Sequence, residues 1–277
     1  MKPNTWTPPP EPDIPLPDSR GWLRVIRRAI PMIVLILAGL LVMLLLRLVE
    51  RPAFGEKRPW TPHITVAVCR ALLWVMGIRY QRQGQVTSHP GALVANHSSW
   101  LDIFTLNAAA PLYFVSKAEV AGWPGIGWLA RATGTMFIER DPRQAKAQTN
   151  ALQSRLSVGH KLLFFPEGTS TDGLSVIPFK STLFASFFAD KVRDHIWVQP
   201  VSVRYCPPAG TTSRHYGWWG DMDLAPHLLR TLATQRQGQI KVIYHDPVRV
   251  VGYASRKDLA AYCETQVRIG HHSLNPD

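Results

Sequence analysis

The pattern of apolar and polar positions divides the chain into an N-terminal tail, two apolar segments and a longer alternating region. Residues 1–19 hold seven prolines among polar residues and show neither helical nor strand periodicity, so a disordered tail is expected. A basic cluster (Arg20, Arg24, Arg27, Arg28) precedes an uncharged run from Ala29 to Leu46, broken only by Pro31 and Gly39. As a helix this run extends ~27 Å, near the thickness of a bilayer's hydrocarbon core. It is apolar on every face, unlike a helix that buries one side in a globule. It starts late and is followed by Arg47 and Glu50 without a small-residue cleavage site, so it reads as a retained anchor and not a cleaved signal.

A second apolar segment, His63 to Ile78, is shorter and carries Arg70 at its middle. Two readings stay open: a shallow interfacial helix with Arg70 reaching toward lipid headgroups, or an ordinary core helix. Cations flank the first segment on both sides, so the positive-inside count does not orient it. A two-helix anchor over residues 20–79, entering and leaving on one face, accounts for that tie. From Tyr80 onward strand-like and helix-like patterns alternate. Strands are predicted at 91–95, 112–116, 134–139, 161–165, 197–204 and 240–245, and helices at 99–109, 124–131, 142–158, 179–189, 224–234 and 256–268. This predicts an α/β domain over 80–270, with a mostly parallel central sheet flanked by helices, and a short tail at 271–277.

Charge narrows the partners. The net charge of +12 suits an anionic partner, either nucleic acid or an anionic membrane face. The basic residues are spread along the chain, and no base-stacking motif appears, so nucleic acid is not expected. Cys69, Cys206 and Cys263 are odd in number and widely spaced. They form neither a disulfide framework nor a metal-type spacing, which favours a reducing compartment and no metal.

The candidate chemistry centres on Asn96-His97-Ser98-Ser99-Trp100-Leu101-Asp102, directly after the buried strand Gly91–Ala95. Ser98 or Ser99 reads as a helix N-cap. With Ser98 as the cap, His97 and Asp102 occupy the two positions that touch across a first helical turn. A carboxylate can hold one imidazole nitrogen as a donor and leave the other free as a base. The plainer alternative is an acidic residue suiting the helix dipole beside a surface histidine.

Three further stretches sit where strands should end, which is where α/β sheets put ligands. In Gly134-Thr135-Met136-Phe137-Ile138-Glu139-Arg140 an apolar strand ends in charge; Arg140 binds a ligand or simply pairs with Asp141. In Phe165-Pro166-Glu167-Gly168-Thr169-Ser170, a glycine turn with hydroxyls forms an anion nest or a plain turn, and Glu167 needs a partner, for which Arg140 is a candidate. Val198-Gln199-Pro200 reads as a strand with Pro200 at its edge or end. The paired indoles Trp218 and Trp219 are either core or an interfacial lip.

The order Asn96-His97-x4-Asp102, Gly134-x2-Phe137-Ile138-x-Arg140, Phe165-Pro166-Glu167-Gly168-Thr169 and Val198-x-Pro200 resembles the glycerolipid acyltransferases, over about residues 60 to 250. The bacterial 1-acyl-glycerol-3-phosphate acyltransferases look closest. The resemblance implies His97 as general base and Asp102 as its orienting acid. It implies Arg140, Glu167, Gly168 and Thr169 at the acceptor headgroup, with Asn96, Gly134, Phe137, Pro166 and Pro200 supporting the motifs. It also implies acyl-carrier protein or coenzyme A thioesters as donors, no metal or other cofactor, and a bacterial inner membrane with the catalytic domain facing the cytoplasm. Many members continue the third motif as Glu-Gly-Thr-Arg, whereas here Ser170, Thr171 and Asp172 follow. Lys180 or Arg204 could supply the missing charge, or the acceptor carries less charge. Phosphatidic acid synthesis is kept slightly ahead of lyso-ornithine lipid acylation, because Arg140 is retained. A non-catalytic anionic-lipid binder is the contrasting class. A serine hydrolase is disfavoured, because Asp172 stands where a nucleophile elbow needs its second glycine.

Overall fold

The computed structural model describes residues 6–139, 143 and 145–274. Its centre is one sheet of eight strands: β1 (Arg79–Gln83), β2 (Gly91–Ala95), β3 (Tyr113–Lys117), β4 (Met136–Ile138), β5 (Leu162–Phe164), β6 (Trp197–Cys206), β7 (Gln239–Tyr244) and β8 (Val248–Arg249). The order is β1-β7-β6-β2-β5-β3-β4, with β8 also pairing β6. All pairs are parallel except β6 with β7 and β6 with β8. The mostly parallel sheet is as expected. β1 and β8 lie outside the expected strands: β1 is a polar edge strand, and β8 has only two residues.

Period-two alternation in β2 sends Leu93 and Ala95 to one face and Ala92 and Val94 to the other. The first face packs under α1 (Ser19–Phe54), α2 (Thr61–Met76), α3 (Asp102–Asn107) and α7 (Leu224–Ala233). On the second face lie α5 (Ala145–Ser157), a 3-10 helix (Ser181–Phe188) and α8 (Arg256–Ser273). Among the described residues there are also two short helices, α4 (Ile126–Thr133) and α6 (Asp190–Arg193), and 3-10 turns at Ala118–Gly122 and Val250–Gly252. The predicted helix over 179–189 is thus a 3-10 segment, where Phe184 and Phe187 seal the core. The predicted helix over 99–109 shortens to α3 because the chain first makes a tight turn, in which the Asp102 N–H bonds the Ser99 carbonyl.

The N-terminal region departs most from expectation. Residues 6–18 form no helix or strand but lie on the domain: the Trp219 indole N–H donates to the Pro9 carbonyl (3.0 Å) and the Asp221 N–H to Glu11 (2.6 Å). The run 29–46 belongs to a 36-residue helix, α1, which is not free on every side. Val25, Arg28, Met32, Leu40, Met43 and Glu50 form its buried stripe, while Leu37, Leu41, Leu45 and Leu48 are exposed. Arg28 donates to the carbonyls of Leu232 (2.6 Å) and Thr234 at the end of α7, and Arg24 donates to Ala233. At the other end the Glu50 carboxylate accepts from the N–H groups of Trp60 (2.7 Å) and Thr61 (3.0 Å), which caps α2. Gly39 sits where α1 meets α2: a Cβ there would come within 2.4 Å of Val68, so only glycine admits this approach. α2 settles as a core-side helix, with Leu72, Leu73 and Met76 buried. Arg70 is exposed and donates to the Ala108 carbonyl at the end of α3 (2.6 Å).

Candidate active site

β2 and β5 are parallel neighbours, with Val94 opposite Phe164, so the residues that follow each strand emerge side by side. Asn96 locks the exit of β2 onto β6, through the Val203 N–H (2.8 Å) and the Val203 carbonyl (2.9 Å). His97 follows. Its Nδ1–H donates to Asp102 Oδ2 at 2.6 Å, and its ring stacks on Phe165 with centroids 4.0 Å apart. The His97 side chain keeps 22% of its surface, whereas Asp102 has none.

Four donors converge on Asp102. Oδ2 receives His97, the Ser98 N–H (2.9 Å) and the Ser99 N–H (3.1 Å), and Oδ1 receives the Tyr205 hydroxyl (2.6 Å). The expected pair therefore forms, by a different local route. Asp102 begins α3 instead of lying one turn inside it, and its carboxylate reaches back to upstream amides. The Ser99 hydroxyl, and not that of Ser98, accepts within the turn, from the Leu101 N–H (3.3 Å). With Nδ1–H committed to a carboxylate, Nε2 is the free basic nitrogen, which is the arrangement for deprotonating a hydroxyl. Tyr205 lies outside the expected site. Its only signal is the alternation Val201, Val203, Tyr205 in β6, which puts its hydroxyl under α3, where it also meets Thr105 (3.1 Å).

The third motif wraps the same histidine. Glu167, 1% exposed, takes the His97 N–H on one oxygen and the Ile177 N–H (2.9 Å) on the other. Burial, aided by the Asp102 charge, pushes its carboxyl up to about 8, against the pull of those two amides. The geometry thus gives Glu167 a task other than a headgroup contact: it ties the loops around His97 together. Pro166 is buried, and its carbonyl accepts from the Lys180 N–H (2.9 Å). Gly168 adopts φ +72°, and the Lys180 side chain lies across it. Thr169 is exposed at the rim. Thr171 donates to the His97 carbonyl through its N–H (2.9 Å) and its hydroxyl (3.1 Å).

The other expected residues sit farther out. Gly134 ends α4 before β4, at the strand-start edge, where the Arg155 side chain donates to its carbonyl. Phe137 lies in β4 at the sheet margin. Arg140 lies outside the described residues. Pro200 is not at an edge but inside β6, opposite Val94. It fits because β6 changes antiparallel partner there, from β8 at Val198 to β7 at Val201, so no neighbour needs its missing N–H. Arg204 turns away, toward the Leu174 carbonyl and His271. Of the paired indoles, Trp219 is buried core and Trp218 packs edge-on against Trp123. The buried imidazole of His227 accepts from the Trp100 indole (2.9 Å) and donates to the Gly217 carbonyl (2.7 Å), and burial lowers it to about 3. It is a neutral structural tie. Among the described residues no cluster of three His, Cys, Asp or Glu side chains is placed to hold a metal ion.

Comparison with known proteins identifies the family. The family model described as Acyltransferase matches residues 77–204, which include the His97–Asp102 pair and the third motif. A lyso-ornithine lipid O-acyltransferase of Rhodobacter capsulatus is 55% identical over 94% of each chain. A 1-acyl-sn-glycerol-3-phosphate acyltransferase of Neisseria gonorrhoeae is 33% identical, covering 64% of this chain and 68% of its own. The crystal structure of the 1-acyl-sn-glycerophosphate acyltransferase from Thermotoga maritima shares the fold, at a TM-score of 0.67 and 20% identity over 93% of this chain and 98% of that one. With the acyltransferase family model matched and 55% identity to the Rhodobacter enzyme over nearly the whole length of both chains, this protein belongs to the acyltransferase family and is an enzyme of it.

Proposed function

We propose that the enzyme is a lyso-ornithine lipid O-acyltransferase, with His97 as the general base. The observation that carries the chemistry is the His97–Asp102 pair, with one ring nitrogen bound and the ring still partly open to solvent. The acceptor hydroxyl gives its proton to His97 Nε2 as its oxygen attacks the thioester carbonyl. The tetrahedral intermediate collapses, the thiolate leaves, and the histidine's proton passes to it. Ser98 and Ser99, at 2% and 0% exposure, are too buried to act as nucleophiles, which favours direct transfer over an acyl-enzyme. Gly168 and Thr169 at the rim, with Arg140, are proposed to face the acceptor headgroup. The donor is proposed to be an acyl-carrier protein or coenzyme A thioester.

The 55% relative moves the acceptor from lysophosphatidic acid, ahead on the motifs, to lyso-ornithine lipid, and serine at position 170 fits that less charged acceptor. The Neisseria relative supports phosphatidic acid formation as the second reading. The test is acylation by purified enzyme offered both lysolipids side by side, with each donor. Wild type should acylate lyso-ornithine lipid faster, and His97→Ala should lose at least about a hundredfold of that rate. A variant retaining wild-type rate sinks the mechanism, and a preference for lysophosphatidic acid sinks the acceptor.

The proposed membrane placement is supported by α1. Its exposed leucine stripe suits the lipid phase, yet one end is bonded to α7, and the tip beyond the other end is bonded to α4 through Arg58 and the Ala132 carbonyl (3.2 Å). We place the hairpin in one leaflet of the bacterial inner membrane, with the catalytic domain on the cytoplasmic side, where the acyl donors are. The unpaired cysteines suit that reducing compartment.

A further inference from the structure

Serine at position 170 leaves the third motif without a basic residue directly after Thr169, and the fold brings an arginine in from elsewhere. Arg214 lies in the loop between β6 and α7, more than 40 residues beyond the third motif. Its Nε–H donates to Asp172 Oδ2 at 2.9 Å, and the other oxygen of Asp172 takes the Leu174 N–H at 3.1 Å. Asp172 is 6% exposed, so the carboxylate is fixed, whereas the Arg214 side chain is 44% exposed.

This pair is close to the catalytic histidine by two routes. Asp172 follows Thr171, whose N–H and hydroxyl hold the His97 carbonyl. On the other side the Trp218 N–H donates to the Ser98 carbonyl (2.9 Å), and the Gly217 N–H donates to the Arg214 carbonyl (3.0 Å). The two loops touch backbone to backbone: a Cβ at Gly217 would lie 2.6 Å from the Asp172 carbonyl oxygen. Among the described residues no acceptor engages the two Nη groups of Arg214. A guanidinium held at Nε, with both Nη ends open, is a fork suited to a carboxylate. The other two cations near the motif are less suited. Arg204 is occupied by Leu174 and His271, and Lys180 lies over Gly168 as a single-point charge.

We propose that Arg214, held by Asp172, binds the α-carboxylate of the acceptor and selects for it. This rests on the acceptor being lyso-ornithine lipid, a zwitterion whose one carboxylate needs one cation. Asp172 acts through Arg214 and is a positioning residue.

The test uses the full-length enzyme with lyso-ornithine lipid and with the methyl ester of its carboxylate. Wild type should show an acceptor KM about ten- to a hundredfold higher for the ester, the loss of one charge-assisted contact. Arg214→Ala should raise the acid's KM by the same factor, lower kcat much less, and treat acid and ester alike. Arg214→Lys should recover part of the discrimination, and Asp172→Asn should lose part of it. Wild type acting equally on acid and ester overturns the proposal while leaving the acceptor reading intact. So does discrimination that survives Arg214→Ala but disappears in Lys180→Ala. Wild type inert toward lyso-ornithine lipid overturns the acceptor reading, and this proposal with it. A melting temperature within a few degrees of wild type confirms that each variant is folded.

Discussion

At the scale of single residues, the site is a set of constraints on one imidazole. Asp102 accepts from His97, two backbone amides and Tyr205, so its shape and charge are both used. Asp102→Asn places an NH2 against one of these donors and favours the wrong tautomer of His97. The expected outcome is a fall in kcat of roughly a thousandfold or more at little change in acceptor KM, read by steady-state kinetics. A loss under tenfold rules out the orienting role. Glu167 makes a different prediction. Its folded-state pKa, about 8, lies above the ordinary 4.5, so the folded protein holds the proton more tightly than the unfolded chain does. The stability this supplies is complete below pH 4.5 and is lost as pH rises toward 8, by as much as a few kcal/mol. Urea unfolding at pH 5.5, 7 and 8.5 should show that decline. Glu167→Gln, though less stable overall, should lack it, and an equal slope in both proteins assigns the effect to other groups.

At the scale of elements, the α1–α2 hairpin is the unusual feature. A 36-residue helix extends ~54 Å, ample to cross a bilayer. Its polar buried residues, Arg28 and Glu50, cap α7 and α2 of the same domain, which favours the proposed one-leaflet placement over a spanning one. Both ends of α1 should therefore lie on one side of the membrane. Single cysteines at Ser19 and Lys57, with Cys206 replaced by serine, should react with an impermeant maleimide from the same side of sealed inner-membrane vesicles. Labelling from opposite sides shows a spanning helix and ends the one-leaflet placement.

At the scale of the whole molecule, charge and apolar surface act together. On the proposed placement, the net charge of +12 should draw the protein to an anionic leaflet and the exposed leucines of α1 should hold it there. Raising salt from about 0.1 M to about 1 M shrinks the screening length from ~10 to ~3 Å. Sedimentation with phosphatidylglycerol vesicles should weaken over that range without being abolished. Complete release at high salt means that the leucine stripe does not insert. No change means that charge contributes nothing.

The sequence by itself determined the parallel α/β sheet, the long apolar helix and the histidine–acid pair. Each rests on short-range pattern: period-two strands, an uncharged helical run, and two side chains five positions apart. It did not determine what supports that pair. Tyr205 reaches Asp102 across 103 residues, and Arg214 reaches Asp172 across 42, contacts set by strand register and by two loops meeting at the sheet's carboxyl edge. Nor did it reveal that Glu167 is a buried tie, that Pro200 occupies a gap between two antiparallel partners, or that residues 6–18 lie against Trp219. Local sequence encodes which backbone a segment prefers. Which distant groups then satisfy its buried polar atoms is decided only when the layers close, because a buried donor or acceptor must take its partner from whatever segment the packed fold brings within reach.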